Sequence, residues 1–272
     1  MCSDTVSKIC SDNDYYRSFL RTSARLYKHS FDTQIMVHEQ NPEVVACADF
    51  DTWTNKDVHR HIKKNSKGMG VVDRSGTKPV LHYMYDYSDT EPIDSKSKSP
   101  YIWKITSEKR AFVNQTLNGG HGLDSTLIET AKKLAEDYAA ENLRELSARE
   151  RTSFTELLEN STAYMLLSRC GYDPDMYYSS EDLSAVSEYD SIGALCRIGC
   201  AISGISEKAL RAIEKSVKSY DRGKEDYERG NPSSEYAEQY RLYLQRENRN
   251  ISAGFEIGGN EFAVTREIRN AP

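Results

Sequence analysis

A change of hydrophobic period at Gly119-Gly120 constrains this chain more than any other feature. Between about Asn41 and that point apolar residues come in short runs bounded by Asn, Gly, Pro and Ser. After it they recur every three or four positions as far as about Tyr220. Two such regimes in one chain imply an α+β architecture: an N-terminal helix and a small antiparallel sheet, followed by a helical bundle. The corresponding domains are residues 1–118 and 119–220, with a charged, Tyr-rich tail at 221–272.

The opening helix is expected from about Asp12 to His38. Tyr16, Leu20, Tyr27, Phe31 and Ile35 recur mostly four apart, with Arg17, Arg21, Arg25 and Lys28 largely between them, and a break falls near Ser30. Asn41-Pro42 ends the helix, because proline disfavours helical angles in the residue before it. Extended segments follow at Val44–Phe50, Val58–Ile62, Met69–Val72 and Val80–Tyr87. The second and third are joined by a turn, Lys63 to Gly68, whose Asn65 and Gly68 tolerate left-handed angles, and Ser75-Gly76 turns the third into the fourth. Glu91 to Pro100 is a polar loop.

Four helices are expected beyond Gly120. Leu127, Leu134, Tyr138 and Leu146 mark the first, after a capping candidate at Asp124. Phe154, Leu157, Leu158, Met165 and Leu166 mark the second, which ends at Gly171 with Pro174 behind it. Ile192, Leu195, Cys196, Gly199 and Ile202 give a third, and Ser206 caps a fourth carried by Leu210, Ile213 and Val217.

Several chemistries lack their residues. His59-Arg60-His61 is the nearest approach to a metal motif, and no His-Glu-x-x-His or Cys-x-x-Cys accompanies it. Lys67-Gly68-Met69-Gly70 lacks the glycines and following helix of a phosphate loop, and no Gly-x-Ser-x-Gly elbow is present. No catalytic residue, metal or cofactor is therefore expected. Six scattered cysteines, with Cys196 and Cys200 read as free core thiols, and the lack of an apolar signal run point to a reducing, cytoplasmic setting. No run approaches the roughly 20 apolar residues of a membrane span.

Charge singles out one segment. The net charge of −6 is uneven: through Arg110 there are 17 Lys and Arg against 15 Asp and Glu, leaving 19 against 27 for the remainder. Within Asn55 to Lys78, Lys56, Arg60, Lys63, Lys64, Lys67, Arg74 and Lys78 face only Asp57 and Asp73. Cations on paired strands follow a phosphate backbone and release its condensed counterions. Trp53, Tyr83, Tyr85 and Tyr87 lie beside them, and aromatic faces next to a basic groove suit sequence-tolerant binding of single strands.

The run Tyr27 to Thr90 resembles the N-terminal domain of ArdC-type antirestriction proteins. The resemblance is carried by Ser30-Phe31-Asp32-Thr33-Gln34-Ile35, Gln40-x-Pro42, Trp53, Arg60-x-Ile62-Lys63-Lys64-Asn65-Ser66-Lys67-Gly68-Met69 and Tyr85-Asp86-Tyr87-Ser88-Asp89-Thr90. The family usually has glycine where Asn65 stands, and asparagine is the next most tolerant of left-handed angles. Pro100-Tyr101-Ile102-Trp103 and Ser161 to Gly171 are similar to the front ends of large proteins of conjugative elements and phages. The family's metalloprotease half, with its His-Glu-x-x-His helix, has no counterpart in this sequence.

The resemblance implies a single-stranded-DNA-binding module of a mobile genetic element, without catalysis of its own. Its expected contacts are Arg21, Arg25, Lys28, Trp53, Lys56, Arg60, Lys63, Lys64, Lys67, Arg74 and Lys78. The alternative is an inhibitor that binds a host defence nuclease through the acidic helical remainder. A larger mobile-element protein is a further candidate partner.

Overall fold

The computed structural model describes residues 3–74, 76–231 and 234–247. The opening helix is three pieces: α1 (Ser3–Ser11), α2 (Asn13–Arg25) and α3 (Phe31–Gln40). The Asp12 carboxylate accepts from the backbone N–H groups of Asp14 and Tyr15 to start α2, and Ser30 accepts from Thr33 to start α3. The break near Ser30 is therefore an N-cap.

Two small antiparallel sheets follow, interleaved with the short helix α4 (Phe50–Thr54). One contains β1 (Cys47–Asp49), β3 (Met69–Asp73) and β4 (Val80–Asp86), in the order β1-β4-β3. The other pairs β2 (Arg60–Ile62) with β5 (Thr90–Pro92). The expected β2–β3 pairing is not formed. The Lys63–Gly68 turn carries the chain from one sheet to the other, with Asn65 at φ +70° and the Lys63 N–H bonded to the Asp89 carbonyl. The polar loop expected from Glu91 instead begins as the end of β5. The first strand is shorter than its apolar run, because the N–H groups of Val45 and Ala46 donate to the buried Asp86 carboxylate and Asp49 caps α4.

The inner face of the larger sheet sets Cys47, Met69 and Val71 against Leu26, Val37 and Val44. Helix α3 closes the outer edge of β3. The Gln40 amide accepts from Gly70 N–H and donates to Gly70 C=O, both at 2.9 Å, and Val72 N–H points at Met36 Sδ. An edge covered in this way offers no free template to another strand.

The remainder is helical: α5 (Ser107–Thr116), α6 (Leu123–Asn142), α7 (Ala148–Arg169), a 3-10 segment at Glu181–Tyr189 and α8 (Ile192–Glu228). Ser147 and Glu150 form a capping box ahead of α7, and Gly171, at φ +81°, turns the chain out of it. Leu146 lies beyond the end of α6 and packs on the core from the following turn. The two helices expected between Ile192 and Val217 are one helix of 37 residues. Ser206 is no cap, for its buried hydroxyl meets Met165 Sδ at 3.5 Å in mid-helix. Gly199 lets the Phe31 ring rest on the helix backbone, where any Cβ would overlap it. Cys200, expected in the core, is exposed on α8, and Cys196 is half-buried.

Packing does not part at Gly119. Val6, Phe19, Leu20, Phe31 and Ile35 share one core with Leu157, Met165, Leu195 and Ile202, while Tyr27, Trp103 and Val113 share a second with α6, α7 and α8. The three N-terminal helices are thus bundle members, and the larger sheet packs on α3. Residues 235–247, within the expected tail, are helical and set Tyr240 against Tyr220 and Phe112. The tail from residue 248 onward lies outside the described residues.

Candidate nucleic-acid interface

Alternation along β4 sends Met84 to the core and Leu81, Tyr83 and Tyr85 to the opposite face of the sheet. Their register partners are Val72, Gly70 and Ala48. Leu81 is 55% exposed and Tyr83 53%, large values for residues in mid-strand. Glycines floor this face. A Cβ on Gly68 would stand 3.0 Å from Cζ of Tyr85 and 3.1 Å from Cβ of Tyr83, so the tyrosines close down on bare backbone.

The Lys63–Gly68 turn leads directly into this floor. Lys56, Lys64, Lys67, Arg74 and Lys78 are exposed, and none of them forms a salt bridge among the described residues. Lys63 is exposed as well, and its Nζ donates to the Ser88 carbonyl at 2.6 Å. Cations free of carboxylate partners keep their full charge for a polyanion.

Three expected contacts have structural work instead. Trp53 is 4% exposed, its indole N–H donates to the Tyr85 carbonyl at 2.9 Å, and its ring lies 6.1 Å from that of Tyr87. Arg60 is 6% exposed, bonds Thr90 through Oγ1 and the carbonyl, and sits 4.6 Å from the Tyr87 ring. The Trp53–Tyr87–Arg60 stack ties the two sheets together and presents no open face to a base. Arg21 bonds Asp173 and Asp175 and lies over Tyr164, at the foot of the bundle. His59 and His61 likewise pair with Asp94 and Glu91. Sequence reasoning noted Tyr83 without including it among the contacts. Its signal is the pairing of an aromatic strand position with the Gly68-x-Gly70 floor.

Arg25 and Lys28 lie apart from the sheet face, in a cleft of about 550 Å³. The joint between α2 and α3, the 100–104 segment, the end of α7 and the middle of α8 enclose it. Arg25 donates to the carbonyls of Val44 and Pro42, and its burial lowers its pKa. Burial also lowers His29, keeping that ring neutral. The Arg169 guanidinium lies 3.5 Å from the centroid of Trp103 and donates to the Trp103 carbonyl, while its Nε is buried without a partner.

Among the described residues Glu214 is the one carboxylate lining the cleft. Burial alone would raise its pKa. Hydrogen bonds from Lys218, Lys28 and Tyr27 outweigh that and hold it at about 2. A carboxyl held below its unfolded value stabilises the fold fully above the usual carboxylate range, and that contribution is lost as pH falls toward 2. Glu214→Gln is therefore expected to lower stability by about 2 kcal/mol at neutral pH. Thermal melts should also show a flatter stability profile for this variant below about pH 5, because the missing contribution cannot titrate. Parallel profiles for variant and wild type would show that Glu214 does not carry it.

Among the described residues no three His, Cys, Asp or Glu side chains gather as a metal site, and no helix is long and apolar enough to cross a membrane. No protein-family model, curated protein or solved structure matches the chain.

Proposed function

We propose that this protein is a single-stranded-DNA-binding module of a mobile genetic element, acting in antirestriction or strand transfer by binding rather than by catalysis. The observation that carries this reading is the exposed Tyr83 on a glycine-floored sheet face, reached by the turn that carries Lys64 and Lys67, which form no salt bridge among the described residues. Bases stack on the tyrosine, and the Lys63–Gly68 turn neutralises the adjoining phosphates. Neither contact depends on base identity, so binding is sequence-tolerant and weakens with salt. The ArdC-like residues from Tyr27 to Thr90 include both the platform's scaffold and its basic turn, which supports the same reading.

Tyr83→Ala is expected to weaken binding of labelled oligo(dT) about tenfold, as the loss of one stacked base requires, with no change in melting temperature. Trp53→Phe should do the reverse, lowering stability by about 1–2 kcal/mol through the lost N–H donor to Tyr85 while leaving affinity near wild type. Anisotropy titrations and melts of the two variants separate the roles. Unchanged affinity in Tyr83→Ala would remove the platform from the interface and favour a protein-binding inhibitor acting through its acidic helices.

A further inference from the structure

The cleft beneath the sheet has a charge balance that the sheet-face reading does not use. Among the described residues five cations line it, Arg25, Lys28, Lys104, Arg169 and Lys218, against the single carboxylate of Glu214. That carboxylate already receives Tyr27 at 2.6 Å and both Lys28 and Lys218 at 2.8 Å. Arg25 donates to the carbonyls of Val44 and Pro42 and to the Thr22 hydroxyl, Arg169 donates to the Trp103 carbonyl, and among the described residues neither arginine nor exposed Lys104 forms a salt bridge. The Arg169 guanidinium lies against the Trp103 ring and spends one N–H on the Trp103 carbonyl, so its charge lines the cleft without a carboxylate partner among the described residues.

Glu43 and Asp86 act on Arg25 and Glu214 on Arg169, yet the lining stays cationic in excess, and a multiply charged anion would offset that excess with charge-assisted hydrogen bonds. The 100–104 segment supplies a second recognition element beside these cations. Tyr101 is 46% exposed, is held by a hydrogen bond to Asp221 at 2.9 Å, and carries Lys218 5.1 Å from its ring centre. An aromatic face next to a cationic patch fits a planar base joined to a phosphate. The volume of about 550 Å³ falls within the range of pockets for small organic ligands.

We propose that this cleft binds a nucleoside phosphomonoester, with the phosphate on Lys104, Arg169 and Arg25 and the base against Tyr101. The ligand is either a free mononucleotide or the 5′-phosphorylated end of a DNA strand, since both present the same group. The site is separate from the sheet face and does not depend on it.

Isothermal titration of the full chain with deoxythymidine 5′-monophosphate and with thymidine tests this. The nucleotide should bind at least about tenfold more tightly than the nucleoside, as one charge-assisted contact requires. Lys104→Glu and Tyr101→Ala should each weaken nucleotide binding by about tenfold, with melting temperatures near wild type, and Tyr83→Ala should leave it unchanged. Oligo(dT) with and without a 5′-phosphate then distinguishes the sources. A preference for the phosphorylated end that disappears in Lys104→Glu identifies the strand terminus, and nucleotide binding without that preference identifies the free nucleotide. Equal binding of nucleotide and nucleoside, no binding of either, or a nucleotide affinity indifferent to Lys104→Glu would overturn the proposal. Loss of oligonucleotide binding in Tyr83→Ala with intact nucleotide binding in the cleft would confirm that the two sites are independent.

Discussion

Reversing Lys63, Lys64 and Lys67 to glutamate together is expected to lower the affinity for single-stranded DNA by about 100-fold at low salt. Three phosphate contacts are lost and three like charges are set against the backbone. The salt dependence should flatten too, because each lost phosphate contact on a single strand reduces the slope of log affinity against log salt by roughly 0.7, or about 2 for the three. The fold should tolerate the change. Among the described residues Lys64 and Lys67, both exposed, form no salt bridge, and the exposed Lys63 donates to the Ser88 carbonyl. Surface substitutions of this kind shift stability by roughly 0.5 kcal/mol or less. Anisotropy titrations at two salt concentrations, with melts of the same samples, read both effects. An affinity and slope equal to wild type would show that the turn lies outside the interface, whatever else binds.

Trp103→Ala is expected to have the largest effect on stability, about 3–5 kcal/mol. The ring is 2% exposed and is clasped from two sides: its N–H donates to the Tyr27 hydroxyl at 3.1 Å, and the Arg169 guanidinium covers its face. Removing it opens a cavity between the 100–105 segment and α7. It also leaves a partly buried guanidinium without its aromatic cover, and Tyr27 without a donor. Because folded domains typically hold only about 5–15 kcal/mol in total, such a loss is a large fraction of the fold's stability. Urea unfolding followed by circular dichroism measures it. Trp103→Phe should recover part of the loss, since it refills most of the cavity without restoring the N–H. A loss below about 1 kcal/mol for the alanine variant would mean that this junction is not a principal tie between the N-terminal segment and the bundle.

The fold was legible where local chemistry decides it. The break at Ser30 and the stop at Gly171 are set by a cap and a left-handed glycine, and Asn65 takes the left-handed angle that its place in a turn suggested. The four extended segments all contain strand. Strand partners were less legible, because three-residue strands such as β2 carry no pattern that names a partner. The sequence neighbour β3 was the natural choice, and β5 won through Asp89 and Thr90. Ser206 misled for a related reason: a serine between two apolar runs looks like a cap, and only the tertiary contact with Met165 makes it an interior residue of α8.

The candidate site shows the same division. Cationic spacing identified the exposed turn, but counting cations and aromatics does not reveal which of them are buried. Trp53, Arg60 and Arg21 carry the expected residue types and engage neighbours within the protein. The cleft was least visible of all. Arg25 and Lys28 meet Lys104, Arg169 and Lys218 only because α2, α7 and α8 converge there, at sequence separations that no local motif spans.

An outward sheet face and basic turn that bind single-stranded DNA by stacking and phosphate contacts should prefer a single strand to a duplex and lose affinity as salt rises. The most direct test is an anisotropy titration of the unaltered protein with a labelled single strand and a duplex of the same length at about 50 mM and 200 mM salt. Tighter binding of the single strand, with affinity falling as salt rises, is the expected result. No measurable single-strand binding at the lower salt, or a duplex bound as tightly as the single strand, would contradict it.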